Sequence, residues 1–120
     1  MQYMLIFQEP LSEFAKANNP ATADAYMGAW GGYVREIKAA GVVVNGHGLM
    51  PPQMGTTVSV RNGKRVVQDG PFADAKEHLG GYYVIEVASL DQALEWAEKS
   101  PAALAGSVEV RPVLPPFPGM

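Results

Sequence analysis

Apolar residues fill five consecutive positions near the start of the chain, Tyr3-Met4-Leu5-Ile6-Phe7, before Glu9-Pro10 ends the run. A strand with one face in water alternates apolar with polar residues, so an unbroken run predicts a strand covered on both faces. Residues 11–19 are polar and predict a loop with one helical turn. Asn19-Pro20 supplies a helix start, with Asn as the cap and Pro in the first turn. Tyr26, Met27, Trp30, Tyr33, Val34 and Ile37 recur at spacings of three and four. That is the apolar stripe of a helix over residues 21–40, stopped by Gly41. Gly28, Gly31 and Gly32 sit inside it, each costing about 1 kcal/mol relative to Ala. They predict close packing on a sheet, or else room for a ligand beside Trp30 and Tyr33.

Val42-Val43-Val44 is β-branched and predicts a second strand, which continues through Gly46-His47-Gly48 to Leu49-Met50 and closes at Pro51-Pro52. Residues 56–61 and 64–68 flank Asn62-Gly63, a pair suited to the type I′ turn of a tight hairpin. A core strand follows over 81–87. Ser89 with Gln92 three residues later forms a capping-box pattern, starting a helix over 90–99 that should bury Leu90, Ala93, Leu94 and Ala97. Val108-Glu109-Val110 alternates like a last strand, and the proline-rich tail from about residue 112 is extended. The order is β-α-β, a hairpin, then β-α-β. With the hairpin as an insertion this is the split βαβ, ferredoxin-like α+β arrangement, with both helices on one sheet face. Nothing in one copy then covers the other face of the first strand. A homodimer joined sheet to sheet would cover it.

Composition narrows the function classes. The 120 residues form one domain, and 48% hydrophobic content argues against disorder. Nine basic and twelve acidic side chains give a formal charge of −3, and no basic cluster exists beyond Lys64-Arg65, which speaks against nucleic acid as a partner. The absence of cysteine excludes disulfides and thiolate metal sites and fits a cytoplasmic protein. The first apolar run is too short for a membrane span.

Candidate chemistry concentrates in residues 68–83, where Asp69, Asp74, Lys76, Glu77 and His78 lie between two apolar strands. Asp69 precedes a Gly-Pro turn, where its carboxylate can accept backbone N–H bonds or act as an acid or base in a pocket. Lys76, Glu77 and His78 are either a solvated face or contacts to a ligand that also meets Trp30 and Tyr33. His47, next to Leu49-Met50, is expected to be partly buried and neutral, with acid–base work as the alternative. Only two histidines, far apart in sequence, stand against a metal site, and no cofactor motif occurs.

The segments Asp69-Gly70-Pro71-Phe72, Lys76-Glu77, Leu79-Gly80-Gly81-Tyr82 and Glu109-Val110-Arg111-Pro112 resemble the DGPF-domain branch of the YCII-related proteins. The resemblance implies a ferredoxin-like domain that dimerises into an α/β barrel. Shorter members of that family carry a His/Asp centre with the His on the first helix. No His occurs in residues 21–40 here, so that centre does not transfer. Links of some members to alternative sigma factors imply a regulatory alternative. The expectation is a protein that binds a small, partly apolar molecule in a cavity between sheet and helix. Any chemistry would be cofactor-free acid–base work by Asp69, helped by His47; the alternative is a non-catalytic ligand-binding or regulatory module. An exposed Asp69 would favour that alternative.

Overall fold

The computed structural model describes residues 1–119. Strand β1 (Gln2–Glu9) leads through a short helix α1 (Leu11–Ala15) and a 3-10 turn (Lys16–Asn18) to the long helix α2 (Ala23–Ala39). Strand β2 (Val43–Gly48), a 3-10 turn (Pro52–Met54), and the hairpin β3 (Thr56–Arg61) and β4 (Lys64–Asp69) follow. The chain finishes with β5 (His78–Glu86), α3 (Leu90–Glu98), α4 (Pro101–Ala105) and β6 (Ser107–Pro112). In space the main sheet runs β2-β5-β1-β6, with every neighbouring pair antiparallel. That is the order expected of a split βαβ domain, with β3 and β4 set apart as their own two-stranded sheet.

Strand β1 is central, and its two faces have different fates. Tyr3, Leu5, Phe7 and Glu9 are buried, while Gln2, Met4, Ile6 and Gln8 are half-buried. The buried set meets Ile85 from β5, Tyr33 and Ile37 from α2, Ala93 and Ala97 from α3, and Ala102 from α4. All the helices in this core therefore lie on one face. Leu5, Ile37 and Ile85 are fully buried, each contributing about 1.5–3 kcal/mol. On the other face Met4, Ile6, Tyr82 and Val84 are cross-strand neighbours.

Local chemistry explains most element ends. Gly41 adopts φ +74° and its N–H reaches the Lys38 carbonyl at 3.1 Å, closing α2. Asn62 and Gly63 have φ 52° and 74°, the pair of positive values a type I′ turn requires. Ser89 accepts from the Gln92 N–H at 3.3 Å, and the Gln92 side chain accepts from the Ala88 N–H at 2.9 Å.

Several expectations are corrected. Helix α2 starts at Ala23, not 21, because the Asn19 side chain caps a preceding turn through the Ala21 N–H at 3.0 Å. The α2 glycines do not pack on the sheet: a side chain at Gly28 would meet open space, and one at Gly31 or Gly32 would meet only Arg35. In α3 only Ala93 and Ala97 are buried; Leu90 and Leu94 remain 47% and 46% exposed. The short alanines let the helix approach the sheet closely and turn the leucines outward. Pro101 starts α4 rather than merely ending α3, since proline suits the first helical position.

Candidate active site

A cavity of about 540 Å³ opens between α2 and the β2–β5 side of the sheet. That size suits a small molecule. Phe7, Tyr26, Met27, Trp30 and Tyr83 form its sheet and helix walls, and Leu49-Met50-Pro51 closes one side. Phe7 is the hub of these walls. Its ring meets Trp30, Tyr33 and Tyr83 edge-on, with centroids 5.3, 5.9 and 6.0 Å away. Such pairs contribute about 0.5–1.5 kcal/mol each beyond simple burial and hold the walls in one shape. The Phe14 ring packs where Gly80 has no side chain; a Cβ there would lie 2.7 Å from it. Glycine at this position therefore lets α1 cover the pocket's end.

The carboxyl of the pocket is Glu9. It continues the inward alternation of Tyr3, Leu5 and Phe7, so the strand that builds the core also delivers a carboxyl to the cavity. Glu9 is only 3% exposed. The Tyr26 hydroxyl donates to its Oε1 at 2.9 Å, while Oε2 has no hydrogen-bond partner. Trp30 follows Tyr26 by one helical turn on the same stripe, and its Nε1–H is also buried without a partner. Burial raises the Glu9 pKa above the ordinary 4.5. The Tyr26 hydrogen bond opposes the shift, Glu13 adds to it and Lys16 reduces it. The Trp30 N–H is near enough to lower it slightly without making a well-formed hydrogen bond. Tyr26 is itself pushed above its usual value, first by burial and then by Glu9, so it stays protonated and acts as donor. A buried carboxyl held this way can take up a proton and give it back.

The predicted site residues are dispersed. Trp30 lines the pocket. Tyr33 lies behind it in the core, 4% exposed, with its hydroxyl donating to the Trp96 carbonyl at 2.9 Å. His47 borders the cavity, but it pairs in register with Tyr82, which pairs with Ile6, so its side chain belongs to the opposite sheet face. There its Nδ1 lies 2.8 Å from the Tyr82 hydroxyl. The expected partial burial of His47 is corrected: it is exposed, because β2 is an edge strand with no helix on that side. Asp69 ends β4 in the separate hairpin sheet, exposed and outside the cavity. Its Oδ1 accepts from the Thr56 hydroxyl at 3.2 Å, not from turn N–H groups. The chain there is tied instead by the Gly70 N–H donating to the Gly55 carbonyl at 2.7 Å. Lys76 is exposed. Glu77 accepts from the Ser107 hydroxyl at 2.5 Å. His78 is opposite Glu9 across the β1–β5 pair, with a buried Nε2 that has no partner. Among the described residues no three His, Cys, Asp or Glu side chains converge as a metal site, and no helix is long and apolar enough to cross a membrane.

These features define a small α+β domain with helices on one face of an antiparallel sheet and a pocket beneath the longest of them. The model of the YCII-related domain matches residues 1–116, and the chain belongs to that family. The motifs at 69–72 and 109–112 therefore pointed to the right family. An uncharacterised protein of Rhizobium meliloti (strain 1021) is 44% identical over 73 residues, a stretch that spans 59% of this chain and 59% of that relative. Among solved structures, the 5-chloro-2-hydroxyhydroquinone dehydrochlorinase of Burkholderia phenoliruptrix AC1100, in complex with 2,5-dihydroxybenzoquinone, superposes with a TM-score of 0.53. That comparison covers 95% of this chain and 94% of the other at 16% identity, a likeness of fold. The shared architecture is consistent with the ferredoxin-like arrangement read from the strand order.

Proposed function

We propose that this protein binds a small, largely apolar molecule in the cavity beside α2 and moves a proton on it with Glu9, without a cofactor. The observation that carries this is the buried Glu9 carboxyl in the wall of a mostly apolar cavity, held through one oxygen by Tyr26 and left without a hydrogen-bond partner at the other. Asp69 is exposed, as the non-catalytic alternative expects, so it takes no part in this chemistry; Glu9 supplies the group that the catalytic alternative needs. The dehydrochlorinase of the same fold is bound to a small oxygenated ring, which is in keeping with a cavity of this size.

The test uses phenol, resorcinol and other compact uncharged rings, titrated by calorimetry, with solvent deuterium entering ring positions followed by proton NMR. Saturable binding of one molecule per chain is expected, with exchange faster than in buffer. Glu9→Gln should keep binding and lose roughly 10²–10⁴-fold in exchange, the usual share of a positioned acid or base. Absence of saturable binding rejects the pocket. Equal exchange in both proteins rejects the role of Glu9.

We also propose a homodimer joined through the sheet face that carries Met4, Ile6, Tyr82 and Val84. Apolar side chains gathered on a face without helices support it. The projecting hairpin agrees, since Val58, Val60 and Val67 on its surface are 47–65% exposed and a lone two-stranded sheet is marginal in water. Light scattering at micromolar concentration should give twice the 12.8 kDa chain mass; a clean monomer contradicts the proposal.

A further inference from the structure

The cavity is larger than one ring needs. An apolar cavity of about 150 Å³ holds benzene, and this one measures about 540 Å³. It extends along β5. Tyr83 and Gly80 both line it, three residues apart on that strand, which is about 10 Å at the usual rise. At the Tyr83 end, Phe7 meets Trp30 and Tyr83 edge-on, a surface suited to a planar ring. At the Gly80 end the β1–β5 ladder slips. Phe7 pairs with Gly81 and Gln8 with Leu79, so Gly80 is the extra residue of a bulge. Phe14 of α1 sits on that bulge: a Cβ at Gly80 would lie 2.7 and 3.0 Å from two of its ring carbons. Phe14 also lines the cavity, as does Ala17 of the following 3-10 turn. Neither α1 nor that turn contributes a buried residue to the core. Local bonds hold them: Lys16 to Glu13 at 2.8 Å, and the Thr22 hydroxyl to the Lys16 carbonyl at 2.9 Å. Phe14 can therefore be replaced without opening the core.

We infer that Phe14, seated on the Gly80 bulge, is the end wall that sets how long a ligand the cavity takes. The ligand class is an uncharged ring carrying a short, unbranched apolar chain. Its ring lies among Phe7, Trp30 and Tyr83, and its chain ends against Phe14. This rests on the proposed pocket and names its ligand class and the residue that limits it. Each methylene that leaves water for the cavity tightens binding about fourfold. The gain stops where the chain meets the Phe14 ring, since a further methylene would have to strain packed groups. Phe14 selects by length and takes no part in moving a proton.

The experiment titrates phenol and the 4-alkylphenols from methyl to octyl by calorimetry, with urea denaturation confirming that each variant is folded. In the unaltered protein, affinity should rise with chain length to a longest favoured chain and then stop rising. Phe14→Ala should lengthen that favoured chain by about two methylenes or more. The first chain too long for the unaltered protein should then bind at least roughly tenfold more tightly, two methylenes at about fourfold each, while phenol itself changes by less than about threefold. Phe14→Leu should act in the same direction to a smaller extent, and it carries the test if the Ala variant does not fold. Gly80→Ala puts a methyl in the floor and displaces the ring, so it should shorten the favoured chain. Adding Phe14→Ala to it should remove that shortening, because the two sites act through one contact. If the favoured chain is the same in the unaltered protein and both Phe14 variants, the pocket stands and the end-wall role is overturned. If Phe14→Ala weakens phenol and every longer probe alike, Phe14 is a general wall and the length selection is overturned. If no probe binds the unaltered protein saturably, the pocket itself fails and the end wall with it.

Discussion

Replacing Tyr26 with Phe isolates the hydrogen bond on which the Glu9 site depends. The ring that lines the cavity stays, and only the hydroxyl that donates to Glu9 Oε1 at 2.9 Å is lost. A carboxyl 3% exposed then has no partner on either oxygen. Below pH about 4, Glu9 is neutral when folded, and the lost bond is a neutral one worth about 0.5–1.5 kcal/mol. At pH 8 the lost bond is to a carboxylate and is worth about 1.5–3 kcal/mol. The direction of the pH dependence follows from linkage. The folded pKa of Glu9 lies above the ordinary 4.5, so the unfolded chain gives up this proton first as pH rises. Wild-type stability therefore holds its full value from this group below 4.5 and falls as pH rises through the raised folded pKa. Tyr26 is the strongest influence opposing that rise, so Tyr26→Phe pushes the pKa further up and the loss with pH becomes larger. Urea denaturation of both proteins at pH 4 and pH 8, with equal m-values, measures the gap. The gap should at least widen by about 1 kcal/mol between the two pH values. A gap that is equal at both, or larger at pH 4, refutes the buried Glu9–Tyr26 pair.

Three further outcomes are expected. Gly63→Val should lower the denaturation midpoint, because a β-branched residue resists φ +74°; an unchanged midpoint contradicts the turn's contribution to stability. Ile37→Ala should cost about 2–5 kcal/mol by chemical denaturation, since Ile37 is fully buried on the inner face of α2; a loss under 1 kcal/mol contradicts its core position. Asp69→Ala should change stability by about 0.5 kcal/mol or less, given an exposed carboxylate bonded only to the Thr56 hydroxyl; a loss of 2 kcal/mol in the same assay would restore Asp69 to a structural centre.

Patterns that span a whole element were legible in the sequence. The doubly apolar β1, the stripe on α2, the Asn-Gly hairpin and the Ser89 cap each follow from local geometry and appear where expected. Of the site residues singled out in the sequence, only Trp30 and His47 line the cavity, because its walls come from segments far apart in the chain. Glu9 was read as the end of β1, since Glu-Pro commonly stops a strand. The signal that marks it is parity: residue 9 continues the series 3, 5 and 7, so its side chain must face the core. A carboxyl there, one strand from a helix carrying Tyr26 and Trp30, is costly unless it is used. The cluster around Asp69 drew attention through its density of charge. Its strand belongs to a separate sheet, and the turn chemistry that makes Asp-Gly-Pro conspicuous also keeps it in solvent. The α2 glycines and the outward leucines of α3 depend on helix rotation against the sheet, which periodicity alone leaves open over several residues.

The most direct test of the central claim is a carbon-13 NMR titration of the Glu9 side-chain carboxyl, with its resonance assigned through Glu9→Gln. A midpoint above 4.5 that moves when phenol is added is the expected result, because the buried carboxyl lines the cavity that the ring would fill. A midpoint at or below 4.5, unmoved by phenol, means that Glu9 is solvated or already satisfied, and it contradicts a proton-transfer site in this cavity.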